Sequence, residues 1–172
     1  MRFCVKCFAS VHDSLSSCPR AGCGGRLRHE PLLGATLDGR YAVEAVRGVG
    51  GMGVLLVAQH ALLGTPFAVK VLAPRNVDEK KAAELGERFL QEATLVAKLR
   101  HPGIVEVTDF GTAADGRSYI VMELLEGRDM SREIRESGAL SPDRVLWYMR
   151  DVCEALDWTH AHDVVHRDIK PA

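Results

Sequence analysis

The chain has 172 residues, 47% of them hydrophobic and 26% charged, with 22 basic and 23 acidic side chains for a formal net charge of −1. That balance supplies a core and argues against disorder throughout, while near-neutrality gives no global attraction to nucleic acid or to a membrane surface. The longest apolar runs, such as Val54 to Ala58, fall far short of the ~20 residues a membrane-spanning helix needs. Residues 1–14 carry polar side chains too often for the apolar centre of a secretory signal, so a cytoplasmic protein is expected.

Four of the five cysteines fall within the first 23 residues. Cys4-Val5-Lys6-Cys7 and Cys18-Pro19-Arg20-Ala21-Gly22-Cys23 form two pairs separated by ten residues. Tetrahedral Zn²⁺ takes four thiolates delivered as two tight turns, and Gly24 and Gly25 leave backbone N–H groups free to turn toward sulfur. Two disulfides, or four unligated thiols, are the competing readings. Metal bonding would supply the folding free energy that a segment of some 30 residues cannot draw from core burial. Cys4, Cys7, Cys18 and Cys23 are therefore the candidate metal ligands, with His12 and His29 read as surface residues. The segment resembles the zinc ribbons found at the N-termini of some bacterial proteins, although its second pair holds two more residues than the tighter Cys-Pro-x-Cys form. Residues 1–30 are expected to form this module and residues 31–40, interrupted by Pro31, Gly34 and Gly39, a linker between it and the remainder of the chain.

From Tyr41 onward, β-branched and apolar runs predict five strands: Tyr41 to Val46, Val54 to Gln59, Phe67 to Leu72, Ile104 to Phe110 and Ser118 to Glu123. Between the third and fourth, Leu85, Phe89, Ala93, Val96 and Leu99 recur at helical spacing within Lys80 to Arg100, and His101-Pro102 closes the segment. A short helix after Gly127 is expected to reach about Ser137. Ser141-Pro142-Asp143 then opens a longer helix to about His162. Cys153, alone in that helix, reads as a small core residue.

Gly48-Val49-Gly50-Gly51-Met52-Gly53 joins two predicted strands. The spelling alone also suits a dinucleotide fold or a plain glycine-rich hairpin, but a dinucleotide loop runs into a helix, and here Val54 to Ala58 continues as a strand. A strand-loop-strand flap lets bare amides close over phosphates. In Phe67-Ala68-Val69-Lys70-Val71-Leu72, alternation puts Ala68 and Lys70 on one face. A lysine flanked by valines in a buried strand needs an anion, and Glu84, Glu87 and Glu92 on the following helix are the candidates.

His166-Arg167-Asp168-Ile169-Lys170-Pro171 completes the series, and with it the chain resembles the eukaryotic-type protein kinases, in the serine/threonine variant found in bacteria. The resemblance covers about Leu32 to Ala172. It implies an α+β fold: a small lobe of one five-stranded antiparallel sheet and one long helix over residues 41–125, and the first helices of a large lobe over 126–172. The resemblance also implies ATP and Mg²⁺ as cofactors beside structural Zn²⁺, and a protein carrying a Ser or Thr hydroxyl as substrate. A further partner of the zinc module is open. Amides of Gly48, Val49, Gly50, Gly51, Met52 and Gly53 would cover the phosphates, and Lys70, held by Glu92, would contact them. Leu55 and Ala68 would pack on adenine, Met122 would be the gatekeeper, and backbone groups of Glu123 and Leu125 would bond the base, with Asp129 toward the ribose. Asp168 would accept the hydroxyl proton and Lys170 would steady the γ-phosphoryl group.

Two substitutions depart from the family pattern. Arg47 stands where an apolar residue usually precedes the flap, and Asp163 replaces a glycine, which an Asp tolerant of left-handed backbone can absorb. The motif also requires an asparagine at what would be position 173, so these residues read as an N-terminal part of a kinase domain, without turnover by themselves. The alternative is a catalytically inactive module that binds nucleotide or protein through its zinc-containing part.

Overall fold

The computed structural model describes residues 1–51, 53–73 and 78–170. Its elements in chain order are β1 (Arg2–Cys4), β2 (Ser10–Val11), β3 (Leu27–His29), β4 (Thr36–Leu37), β5 (Tyr41–Val49), β6 (Gly53–His60), β7 (Pro66–Leu72), α1 (Glu79–Val96), β8 (Val107–Thr112), β9 (Ser118–Glu123), α2 (Met130–Ser137) and α3 (Pro142–His160). The chain divides into two compact units, residues 1–94 with 107–124, and residues 95–106 with 125–172.

The first unit contains two antiparallel sheets. One has the order β2-β1-β3, and the other is six-stranded, in the order β4-β5-β6-β7-β9-β8. All five expected strands form. The fourth begins at Val107 rather than Ile104, and the added strand β4 comes from the segment expected as a linker. Alternation along β6 and β7 sorts the sheet into two faces. Leu56, Val69 and Val121 stand opposite one another across β6, β7 and β9, as do Val54, Val71 and Tyr119, and five of these six are wholly buried. Between them, on the other face, run the rows Leu55, Lys70, Ile120 and Val57, Ala68, Met122.

The linker expectation is corrected by the packing. Leu32, Leu33 and Leu37 belong to the same buried cluster as Phe3, Val43, Leu56, Val69, Val71 and Val121. Backbone bonds from Gly34 N–H to the Val43 carbonyl (3.0 Å) and from Val43 N–H to the Ala35 carbonyl (2.8 Å) tie the segment to β5. Three leucines in ten residues have too much apolar surface to remain in water, so the segment folds onto the sheet instead of spanning between two cores. Buried Glu30, at the end of the cysteine module, meets Arg117 at the β8–β9 turn (2.5 Å), and Asp115 completes the group (2.7 Å). Arg117→Ala would leave the Glu30 carboxylate buried without its counter-charge, at a cost of about 3–5 kcal/mol. Urea denaturation should show that loss, and Glu30→Gln, which keeps hydrogen-bonding capacity, should show less.

Asp78 caps α1 by accepting the Lys81 N–H at 2.8 Å. The helix sits close on β9 because residue 86 is glycine: a Cβ there would lie 2.8 Å from the Ser118 hydroxyl.

In the second unit, Asp129 and Ser141 cap α2 and α3, accepting N–H groups of Arg132 (2.6 Å) and Arg144 (3.4 Å). Buried Glu133 of α2 accepts the Tyr148 hydroxyl of α3 (3.0 Å) and pairs with the Arg144 guanidinium. Leu146, Trp147 and Met149 are exposed on α3, and Ala155 and Thr159 are its buried residues. Cys153 is exposed, contrary to its reading as a core residue, because two positions along from it the helix buries Ala155 and turns its neighbour outward. No described helix is long and apolar enough to cross a membrane.

Candidate nucleotide face, catalytic loop and thiol cluster

The residues singled out in the first unit assemble on the face of the sheet opposite the large buried cluster. Gly48 of β5 pairs with Leu55 of β6, Leu55 with Lys70 of β7, Ala68 with Met122 of β9, and Phe67 with Glu123. Directly paired residues of antiparallel strands share a face, so Leu55, Ala68, Lys70 and Met122 line one surface. Val57 and Ile120 complete it; strict alternation from Leu55 and from Met122 points to both. Arg47 is the bulged residue between the Val46 and Gly48 pairings and is exposed, which takes its charge out of the ladder.

The flap is a tight return from β5 to β6, closed by Gly50 N–H to the Gly53 carbonyl at 2.9 Å. Its glycines differ in what they permit. A Cβ on Gly48, Gly50 or Gly51 would meet nothing within 4 Å, so those positions leave open backbone, whereas one on Gly53 would lie 2.0 Å from the Val71 carbonyl oxygen. Gly53→Ala should therefore force β6 off β7 and cost about 1–3 kcal/mol, while Gly51→Ala should stay within about 0.5 kcal/mol. Urea midpoints compare the two. Met52 lies outside the described residues, as do Pro171 and Ala172.

Lys70 corrects the expectation of a buried amine. It is exposed although Ala68 and Ile120 on the same face are buried, and its Nζ stands over the Phe89 ring of α1, 5.9 Å from the centroid. Among the described residues neither Lys70 nor Glu92 makes an ion pair within 4.0 Å, and Glu92 is exposed. Glu92 follows Phe89 by three positions and so projects from the same side of α1. Phe89 was not foreseen at the site. Its place in the apolar repeat of α1 marks it as inward-facing, but not as the neighbour of Lys70.

In the second unit the residues expected to form the catalytic loop make a local group. Lys170 Nζ lies 2.6 Å from Asp168 Oδ2, and the Asp168 N–H donates to His166 Nδ1 at 3.2 Å. The Lys170 ammonium, by hydrogen bond and charge, holds the Asp168 carboxyl below its ordinary value, so the group is an ionised acceptor at neutral pH. Asp163 and Arg167 adopt left-handed backbone, φ 60° and 61°, and Asp163 thus occupies the conformation anticipated for the replaced glycine. Asp129, the expected ribose contact, has an oxygen engaged as the α2 cap, and Leu125 is exposed.

The four N-terminal cysteines converge. Their sulfurs all lie within 4.8 Å of one another, with Cys4 to Cys23 at 3.6 Å and Cys7 to Cys18 at 3.7 Å. Tetrahedral coordination with Zn–S bonds of about 2.3 Å separates sulfurs by about 3.8 Å. Burial raises the Cys4 thiol, but the N–H groups of Cys7 and Lys6 and the neighbouring thiols outweigh it and draw it down to about 6. Cys18 has an opposing N–H contribution from Arg20, yet burial and the other three thiols push it up to about 12, and Cys23 also rises despite the Gly25 N–H. One thiolate thus suppresses ionisation of its neighbours. Gly25 is needed at the cluster, since a Cβ there would lie 2.3 Å from Cys4 Sγ. His12 and His29 are exposed, as anticipated.

The family model of the protein kinase domain matches residues 41–172. A probable serine/threonine-protein kinase of Corynebacterium efficiens is 43% identical over 77% of this chain and 20% of its own length. Serine/threonine-protein kinase PknA of Mycobacterium tuberculosis is 39% identical over 82% of this chain and 33% of its own. The PknI kinase domain of M. tuberculosis superposes with a TM-score of 0.68 at 33% identity, covering 81% of this chain and 54% of that one. Rad53 in complex with AMP-PNP gives a TM-score of 0.63 at 29% identity over 77% of this chain and 33% of that one. The chain spans between a fifth and a third of the length of these two curated relatives.

Proposed function

Since this chain belongs to the protein kinase family and is a fragment of a serine/threonine kinase domain, we propose that it supplies the ATP-binding face and catalytic loop of an enzyme that phosphorylates protein Ser or Thr hydroxyls. The observation that carries this reading is the assembly of Gly48, Leu55, Ala68, Lys70 and Met122 on one sheet face, beside a flap of glycines with open backbone. A bound ATP would lay adenine against Leu55 and Ala68 and its phosphates under the flap amides. Hydrogen bonds to the base would come from the backbone of Glu123 and Leu125. The positive charge that would offset the phosphates in the reaction comes from Mg²⁺ when it is bound. The exposed Lys70 amine would extend to phosphate, and Glu92, three positions along α1 from Phe89, would be the carboxylate that holds it there. Asp168, kept ionised by Lys170, takes the proton of the attacking hydroxyl. Lys70→Ala in a polypeptide carrying the complete kinase domain tests the reading. Phosphotransfer should fall with the substrate KM little changed, and full activity in that variant would overturn the role of the lysine.

We also infer that Cys4, Cys7, Cys18 and Cys23 hold one structural Zn²⁺. The donor set, the sulfur spacing and the glycine at position 25 all fit it. Four clustered thiols whose ionisations oppose one another are the arrangement a divalent cation relieves. Reduced, metal-bearing cysteines accord with a cytoplasmic location.

A further inference from the structure

We propose that metal binding by the four-cysteine module and the order of strands β7 and β9 are one linked equilibrium, with the module acting as a metal-dependent brace on the back of the nucleotide-facing sheet. This brace presupposes that the four cysteines hold zinc.

Three observations carry it. The first knuckle reads Phe3-Cys4-Val5-Lys6-Cys7-Phe8, so a phenylalanine flanks each of its cysteines. Phe3, 2% exposed, lies in one buried cluster with Leu56, Val69, Val71, Tyr119 and Val121, and Phe8 packs against that cluster. Fixing the two sulfurs on a metal would therefore fix where one core phenylalanine enters and where a second packs against it.

Second, the module ends on Glu30, whose carboxylate accepts the Leu32 N–H (3.1 Å) and pairs with Arg117. Arg117 immediately precedes β9, which carries Tyr119, Val121 and Met122. Release of the module would strip this buried carboxylate from its partner and leave the guanidinium with Asp115 alone.

Third, the wholly buried residues of β7 alternate with the site residues: Val69 and Val71 face the cluster, while Ala68 and Lys70 lie on the other face. Wetting the back of β7 and β9 thus acts on the backbone that sets Lys70 and Met122. An appended module on a solvated linker would have none of these contacts. Linkage is reciprocal, so what disturbs the sheet side must also weaken metal binding by the same factor.

The test is amide hydrogen exchange on the zinc-loaded, reduced chain before and after metal removal by a chelator, with the zinc-to-protein ratio measured in parallel. Protection of Leu56, Val69, Val71, Tyr119 and Val121 should fall by a factor in the range of about 5 to 150 that ordinary site coupling spans, while α3 amides keep theirs. Arg117→Ala, which removes a partner of Glu30 and Asp115 and touches no cysteine ligand, should still bind one zinc but lose it to the chelator at lower chelator concentration. One zinc per chain, with β7 and β9 protection unchanged on removal and zinc affinity unchanged in Arg117→Ala, would overturn the brace and leave the metal site standing. A reduced chain that binds no zinc would overturn the metal reading itself.

Discussion

Replacing Asp168 with asparagine, in a polypeptide that carries these residues within a complete kinase domain, is expected to lower phosphotransfer by about 10²–10⁴-fold, the usual contribution of a positioned general base. The amide cannot take the hydroxyl proton, and it removes the charge that Lys170 pairs with at 2.6 Å. Binding of ATP should be little altered, because Asp168 is not on the sheet face that would hold the base, so kcat should fall and the KM for ATP should stay near its starting value. A steady-state comparison of the two proteins reads both quantities. The depressed Asp168 carboxyl also sets a pH expectation. A group held below its ordinary value by Lys170 stays ionised until the pH drops through that lowered value, so activity should not titrate on Asp168 near neutrality.

Cys4→Ser is expected to give the largest stability loss of any single change at the N-terminus, well above the ~1 kcal/mol of an ordinary substitution. Structural zinc in isolated finger peptides provides about 10–16 kcal/mol of apparent binding free energy, and if the four cysteines hold zinc as proposed, loss of one ligand beside the buried Phe3 would also loosen the core. Thermal denaturation with metal analysis should show a lowered midpoint together with loss of the zinc. Cys153→Ser is the control: Cys153 is exposed, and its replacement should change neither.

The sheet and its site were legible because they rest on local signals. Alternation in β6 and β7 put Leu55, Ala68 and Lys70 on one face, and the glycine spacing with a strand after it marked the flap. The cap at Ser141 followed from side-chain chemistry, and the left-handed Asp163 from the glycine that the family pattern has at that position. What sequence reading missed depends on long-range packing. Pro31, Gly34 and Gly39 advertise a linker, but the leucines between them find Phe3 and the back of β5 to β9, a meeting that no local pattern encodes. The exposure of Lys70 was missed for a related reason. Flanking valines show that a strand is buried on one face and are silent on whether the other is covered. Helical periodicity on α1 selected Phe89, Ala93 and Val96 as inward-facing but could not say that the Lys70 amine rests over Phe89 while Glu92 stands in water.

If the face bearing Lys70 receives the phosphates of ATP, covalent labelling by an acyl-phosphate derivative of ATP, read by peptide mass spectrometry, should find that lysine. Such a reagent acylates an amine that lies against the bound phosphates. The expected result is modification at Lys70 that an excess of unmodified ATP suppresses. Labelling that spares Lys70 and falls on the helix-surface lysines Lys80 and Lys81 to the same extent with and without competing ATP would contradict it.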